Sequence, residues 1–108
     1  MSTHDNLHGA LELLILTVLR RGPAHGYAIA TVIQQMSDDV LRVETGSMYP
    51  ALHRMCEAGL LKAEWTKSDV GRRARLYTLT RNGRRQLEQD EEKWRMISAA
   101  VAKVLQTA

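Results

Sequence analysis

A chain of 108 residues, 44% hydrophobic and 25% charged, has room for one compact domain with a modest core and excludes two independently folding ones. It has no phenylalanine, so apart from Trp65, Trp94, Tyr27, Tyr49 and Tyr77 the apolar content is aliphatic. The net charge of +3 is unevenly placed: residues 62–85 hold eight lysines and arginines against Glu64 and Asp69, so that window is +6 and the remainder −3. Clustered positive charge is the footprint of a polyanion binder, because each neutralised phosphate releases counterions; a solvated charged face reads equally well from charge alone.

No apolar run nears the roughly 20 residues that cross a bilayer, and Met1 to His8 is polar where a leader would be hydrophobic. A cytoplasmic protein without membrane contact is expected. Cys56 is the only cysteine and cannot close an internal disulfide, which agrees with a reducing compartment.

In chain order, Leu7 to Arg21 reads as a helix. Leu7, Leu11, Leu14 and Val18 form one stripe, while Ala10, Leu13, Ile15, Leu16 and Leu19 fill much of the remaining circumference. Such a helix needs burial on more than one side, and in so short a chain a second subunit can supply it. Gly22-Pro23 ends it. A second helical pattern runs from His25 to Met36 and breaks at Ser37-Asp38-Asp39. The third spans about Ser47 to Ala58, with Met48, Ala51, Leu52 and Met55 as its apolar stripe. Thr45 or Ser47 can cap it, Pro50 is tolerable in its first turn, and Gly59 stops it.

After Gly59 the period changes. Leu61, Ala63 and Trp65, then Leu76 to Leu79, predict two strands joined by a long basic loop over residues 67–75. Thr80 can cap a final helix from about Arg81 to Leu105. Leu87, Trp94 and Val101 recur every seven residues, with Ile97 and Val104 three places after the last two, a coiled-coil seam that is imperfect at Asp90. A helix of roughly 25 residues is about 37 Å long, more than the preceding segments can cover, so its far half is expected to pack on a second copy.

Three short helices followed by a basic hairpin are the order of a winged helix-turn-helix. The fold class is therefore mainly α with a small β-hairpin, residues 1–80 forming the DNA-binding part and 81–108 the dimerisation helix. Away from its stripe, the third helix carries Pro50, His53, Arg54 and Glu57, with Ser47 and Tyr49 at its exposed start, all but Pro50 able to hydrogen-bond. Of these, Ser47, Tyr49, Pro50, His53 and Arg54 are expected to face the major groove and reach base edges or phosphates. Lys67, Arg72, Arg73 and Arg75 are expected on the wing, fixing register on the backbone or entering a narrow minor groove. Tyr49 is favoured for a phosphate. Tyr27 joins this DNA-facing set, with packing of its ring left open as the alternative.

The residues also resemble the PadR family of transcriptional regulators, in its short form with one C-terminal helix. The resemblance covers nearly the whole chain. It rests on His25-Gly26-Tyr27, the run Gly46 to Met55, Glu57-Ala58-Gly59-Leu60-Leu61, the hairpin stretch Gly71 to Thr80, and Asn82-Gly83 with Leu87. It implies a homodimer on a palindromic operator in double-stranded DNA, usually repressing a neighbouring gene, and released by a flat aromatic or apolar effector held between the first and last helices. By position, Trp94 and the apolar faces of the first helix would line that site. The residues assigned to effector or dimer interface are Leu7, Leu11, Leu14, Ile15, Val18, Leu87, Trp94, Ile97, Val101 and Val104. From its spacing alone, Trp94 reads first as a packing anchor.

Catalysis needs a nucleophile with a base, an acid–base pair or an open metal site, and no such set is visible, so no enzyme activity and no cofactor are expected. His53 and Cys56 stand one turn apart, but His4, His8 and His25 have no ligand spacing to join them, and no metal is assigned. The alternative function is a winged-helix protein-association module with little specific DNA binding. An RNA-binding module would need an exposed aromatic platform for unpaired bases.

Overall fold

The computed structural model describes residues 10–67 and 71–107, and the first-helix assignment of Leu7 lies outside them. The order is α1 (Leu11–Arg20), β1 (Ala24–His25), α2 (Gly26–Met36), α3 (Thr45–Glu57), β2 (Leu61–Lys67), β3 (Arg73–Leu79) and α4 (Arg81–Thr107). Three helices wrap an antiparallel sheet of order β1-β3-β2, and α4 leaves the body as an arm, giving extents of 53 × 30 × 21 Å. Among the described residues no helix is long and apolar enough to cross a membrane.

The core joins Ile15, Leu16 and Leu19 of α1 to Ile29 and Ile33 of α2, the α3 stripe Met48, Ala51, Leu52 and Met55, and Leu61, Tyr77, Leu79 and Leu87. It is aliphatic save for Tyr77, and no polar side chain is buried among the described residues. Ile15, Val18 and Leu87 are corrections to the sequence reading. Each is buried within the single chain, so none has surface left for a partner or an effector.

The α3 helix starts at Thr45, with Glu44 at its N-cap and no side-chain cap bond, so neither Thr45 nor Ser47 caps it. Pro50 therefore falls in the second turn, where its ring removes the bond a backbone N–H would make to the Gly46 carbonyl. The far end follows expectation. Gly59 adopts a φ of 77°, its N–H donates to the Cys56 carbonyl, and the Leu60 N–H donates to the Met55 carbonyl, a paired closure that a left-handed glycine permits.

Two further differences concern the sheet. Ala24 and His25 pair with Tyr77 and Leu76, adding a third strand too short to carry a pattern of its own. The hairpin strands also run further than expected: Lys67 pairs with Arg73 and Trp65 with Arg75, so three of the four wing cations sit on strands and the connection shrinks to residues 68–72.

Thr80 caps α4 as expected. Its hydroxyl accepts the Gly83 N–H at 3.0 Å and lies 2.7 and 2.9 Å from the Gly59 and Leu60 carbonyls, to which it donates. Gly83 passes directly under the Leu60 carbonyl, where any Cβ would collide. Leu87 seats the second turn of α4 in the core, and from Glu92 to Thr107 every residue is exposed.

Candidate nucleic-acid interface

The outer face of α3 follows from its stripe: with Met48, Leu52 and Met55 turned inward, Tyr49, Pro50, His53, Arg54 and Glu57 are left exposed and Ser47 half-buried. Three of these, His53, Glu57 and Arg54, are engaged within the chain. His53 Nε2 lies 2.6 Å from Glu57 Oε1, one turn on, and Arg54 reaches back to Glu12 of α1 at 3.6 Å. The Tyr49 ring packs over Gly26 at the start of α2, where a Cβ would stand 2.9 Å from it. Tyr27 stacks on His25 with centroids 5.6 Å apart and planes 4° from parallel, and His25 Nε2 lies 2.8 Å from Thr66 Oγ1 on the wing. The Tyr27 ring is thus packed on one face while the residue is about half open to solvent.

The base of the wing adjoins α3. Burial pushes the Cys56 thiol up, and the Arg75 guanidinium partly opposes it. The Tyr77 phenol is also raised by burial, again opposed by Arg75, with Cys56 and Tyr49 adding to the rise. These four side chains therefore share one neighbourhood at the junction of recognition helix and wing. Further out, Arg73 and Arg75 both lie over the Trp65 ring, at 5.1 and 5.6 Å from its centroid. Arg72 is exposed on the connection and Lys67 at the end of β2. Strand alternation marks the face on which Trp65 lies but not which cross-strand neighbours it meets, so composition and period carry no signal for this cluster.

A separate cleft of about 310 Å³ lies between α1 and α4, lined by Ala10, Leu13, Leu14, Thr17, Leu41, Glu91, Trp94 and Arg95. Of the interface residues expected from sequence it gathers Leu14 and Trp94; Leu11 packs partly against the core, and Ile97, Val101 and Val104 continue along the exposed arm. Ala10, Leu13, Leu14 and Thr17 stand at i, i+3, i+4 and i+7, a second stripe on α1 that the leucine-rich first stripe obscured. At its mouth Glu91 pairs with Arg20 at 2.9 Å and Arg95 at 3.7 Å. Among the described residues no three His, Cys, Asp or Glu side chains converge as metal ligands would.

A three-helix unit with a third helix exposed beside a basic two-stranded wing, extended by one long terminal helix, defines a winged-helix protein of the regulator type. Residues 15–89 match the transcriptional regulator PadR-like family, and the chain belongs to it. That family consists of transcriptional regulators, not enzymes. The chain is 38% identical over 81 residues to the transcriptional regulator Rv3488 of Mycobacterium tuberculosis, covering 75% of this chain and 72% of that protein. A PadR family transcriptional regulator from Eggerthella lenta superposes with a TM-score of 0.79 at 31% identity, over 96% of this chain and 88% of that one. Bacillus subtilis PadR, solved in complex with operator DNA, superposes with a TM-score of 0.66 at 25% identity, over 73% of this chain and 45% of that one. The chain spans less than half the length of the first curated relatives it matches, 24% and 44%.

Proposed function

We propose that the protein is a dimeric DNA-binding repressor that sets α3 in the major groove of each half of a palindromic operator and holds the flanking backbone with its wing. The carrying observation is the exposed outer face of α3 standing beside the basic wing, with α3 packed against β2 of the hairpin. Ser47, Tyr49, Pro50, His53 and Arg54 face the groove, with Tyr27 at its edge, while Lys67, Arg72, Arg73 and Arg75 meet phosphates. Residues 1–80 read DNA and residues 81–108 pair two copies. The exposed stripe Trp94, Ile97, Val101 and Val104, spaced three, four and three residues apart, supports that pairing. Two recognition helices on a two-fold axis suit half-sites about 34–36 Å apart.

An effector of flat aromatic or apolar type enters the α1/α4 cleft beside Trp94 and releases the DNA. The cleft is at the small end of the range that ligand pockets occupy, about 300–1,000 Å³. The test is a fluorescence-anisotropy titration against DNA from upstream of the protein's own gene and against unrelated DNA, repeated across salt concentrations. Tighter binding to the upstream DNA with a steep salt slope is expected. Weak, equal and salt-insensitive binding to both would overturn the reading in favour of a protein-association module.

A further inference from the structure

Trp65 belongs neither to the core nor to the cleft, and 58% of it is open to solvent on the wing. Its strand explains why it is there. Leu61, Ala63, Trp65 and Lys67 share one face of β2, opposite Leu79, Tyr77, Arg75 and Arg73, and the core ends after Ala63 and Tyr77. Beyond that point the same face carries only Trp65 and three cations. Arg75 stands directly across the ladder from Trp65, and Arg73 is two residues back on the same face; both guanidinium carbons lie within 5.6 Å of the indole centroid.

We propose that Trp65 is the positioning residue of the wing, a π platform that holds Arg73 and Arg75 together in one orientation for adjacent phosphates of the DNA backbone. The proposal rests on the DNA-binding reading above. An arginine stacked on an aromatic ring uses the face of its guanidinium and leaves the in-plane N–H groups at its edge, which are the donors a phosphate takes. An unstacked arginine on a hairpin must give up rotamer freedom when it binds; one already ordered on the indole has lost it before the DNA arrives. A lysine ammonium could not be held this way with its donors free in a plane, which accounts for arginine at both positions.

The experiment is anisotropy on the full chain with a duplex of arbitrary sequence spanning about three helical turns, because a backbone contact carries no sequence information. Trp65→Leu is expected to weaken binding roughly three- to tenfold, the scale of one to two exposed cation–π contacts, with an unchanged melting temperature. Trp65→Phe, which keeps a π face, should recover most of the loss. In an Arg73→Ala/Arg75→Ala background Trp65→Leu should have no further effect. Trp65→Thr provides a second non-aromatic variant suited to a strand. An equal loss in both backgrounds overturns the proposal, because Trp65 would then touch DNA or a partner itself. Unchanged binding by both non-aromatic variants, with the wild type binding normally, overturns it alone. A wild type that shows no salt-dependent binding overturns the DNA reading and the platform together.

Discussion

Replacing Val101 by aspartate places a charge in the middle of the exposed stripe on α4 and asks whether that stripe joins two copies. Trp94, Ile97, Val101 and Val104 are 49%, 48%, 52% and 65% exposed in the single chain. Full burial of a large apolar side chain stabilises by about 1.5–3 kcal/mol, so covering the exposed half of each contributes about 1 kcal/mol, and a symmetric pair gathers about 8 kcal/mol. Against the lower estimates of the association cost, about 4 kcal/mol, this leaves about 4 kcal/mol from the stripe alone, a dimer of millimolar strength, so a dimer at micromolar concentration also covers apolar residues beside the stripe such as Leu13 and Leu14. Val101→Asp removes the valine contribution from both chains and leaves an unpaired carboxylate in each; together these cost about 4 kcal/mol or more. The dimer Kd should therefore rise by about a thousandfold. Sedimentation velocity over a wide concentration range reads this directly, the wild type sedimenting as a dimer and the variant as a monomer. Val101 takes no part in the core, so circular dichroism should show helix content retained. A variant that sediments as the wild type does at every concentration would refute the assignment of this stripe to an interface.

Four further substitutions or conditions test separate parts of the molecule. Gly83→Ala drives a Cβ into the Leu60 carbonyl and to 2.6 Å from Leu79 Cδ1, and overpacking of this kind should lower the melting temperature by roughly 5–20 °C; an unchanged melt would show that α4 does not sit this close. Flat aromatic compounds titrated into the wild type should quench indole emission through Trp94, and Trp94→Ala should remove that quench while Trp65 still reports; equal quenching in the variant counts against the cleft. Glu12→Gln releases Arg54 from an exposed pair, so DNA affinity should rise a fewfold while stability stays within about 0.5 kcal/mol, and a loss of affinity would place Arg54 away from the DNA. Burial holds the Cys56 thiol and the Tyr77 phenol above their ordinary values, so the unfolded chain releases these protons first. Their contribution is fully present below about pH 8.5 and is lost as pH rises through the alkaline range; Cys56→Ala should flatten the fall of melting temperature between about pH 8 and 10.

Where an element carries its own period, the sequence was legible. Met48, Ala51, Leu52 and Met55 bury as their spacing demands, and Thr80 and Gly59 act at helix ends through bonds that span only a few residues. Elements defined by a partner were not legible in the same way. β1 is two residues long and exists because the edge of β3 accepts it, and Arg73-Ala74-Arg75 reads as loop by composition yet is strand by register with residues 65–67. The same limit explains Ile15, Val18 and Leu87. An apolar residue at helical spacing announces that it will be buried, but its own period does not say whether the covering surface comes from this chain or from another. Trp65 fell between the two cases, because its strand was evident while its two arginine neighbours depended on a ladder that composition hid.

In the proposed function α1 is the element shared by effector site and DNA-reading unit, and the strengths of its two attachments are unequal. Toward the winged unit as a whole it is fixed by Ile15, Leu16 and Leu19, all buried in the core shared with α2, α3 and β3, where disturbing even one such side chain costs about 2–5 kcal/mol. Toward α4 the buried attachment ends at Leu87; beyond it stand the cleft and the Arg20–Glu91 pair, half-exposed on the arginine side and worth about 1 kcal/mol or less. On that reading a ligand wedged beside Trp94 would move the softer joint first. It would swing the arm of α4 against an intact winged unit, with the pivot near Leu87, and leave α3 undistorted. In a dimer held by those arms the consequence would be a changed separation of two otherwise unaltered reading heads, so release from an operator would follow from half-sites that no longer match the spacing of the heads rather than from damage to the contacts within either half-site.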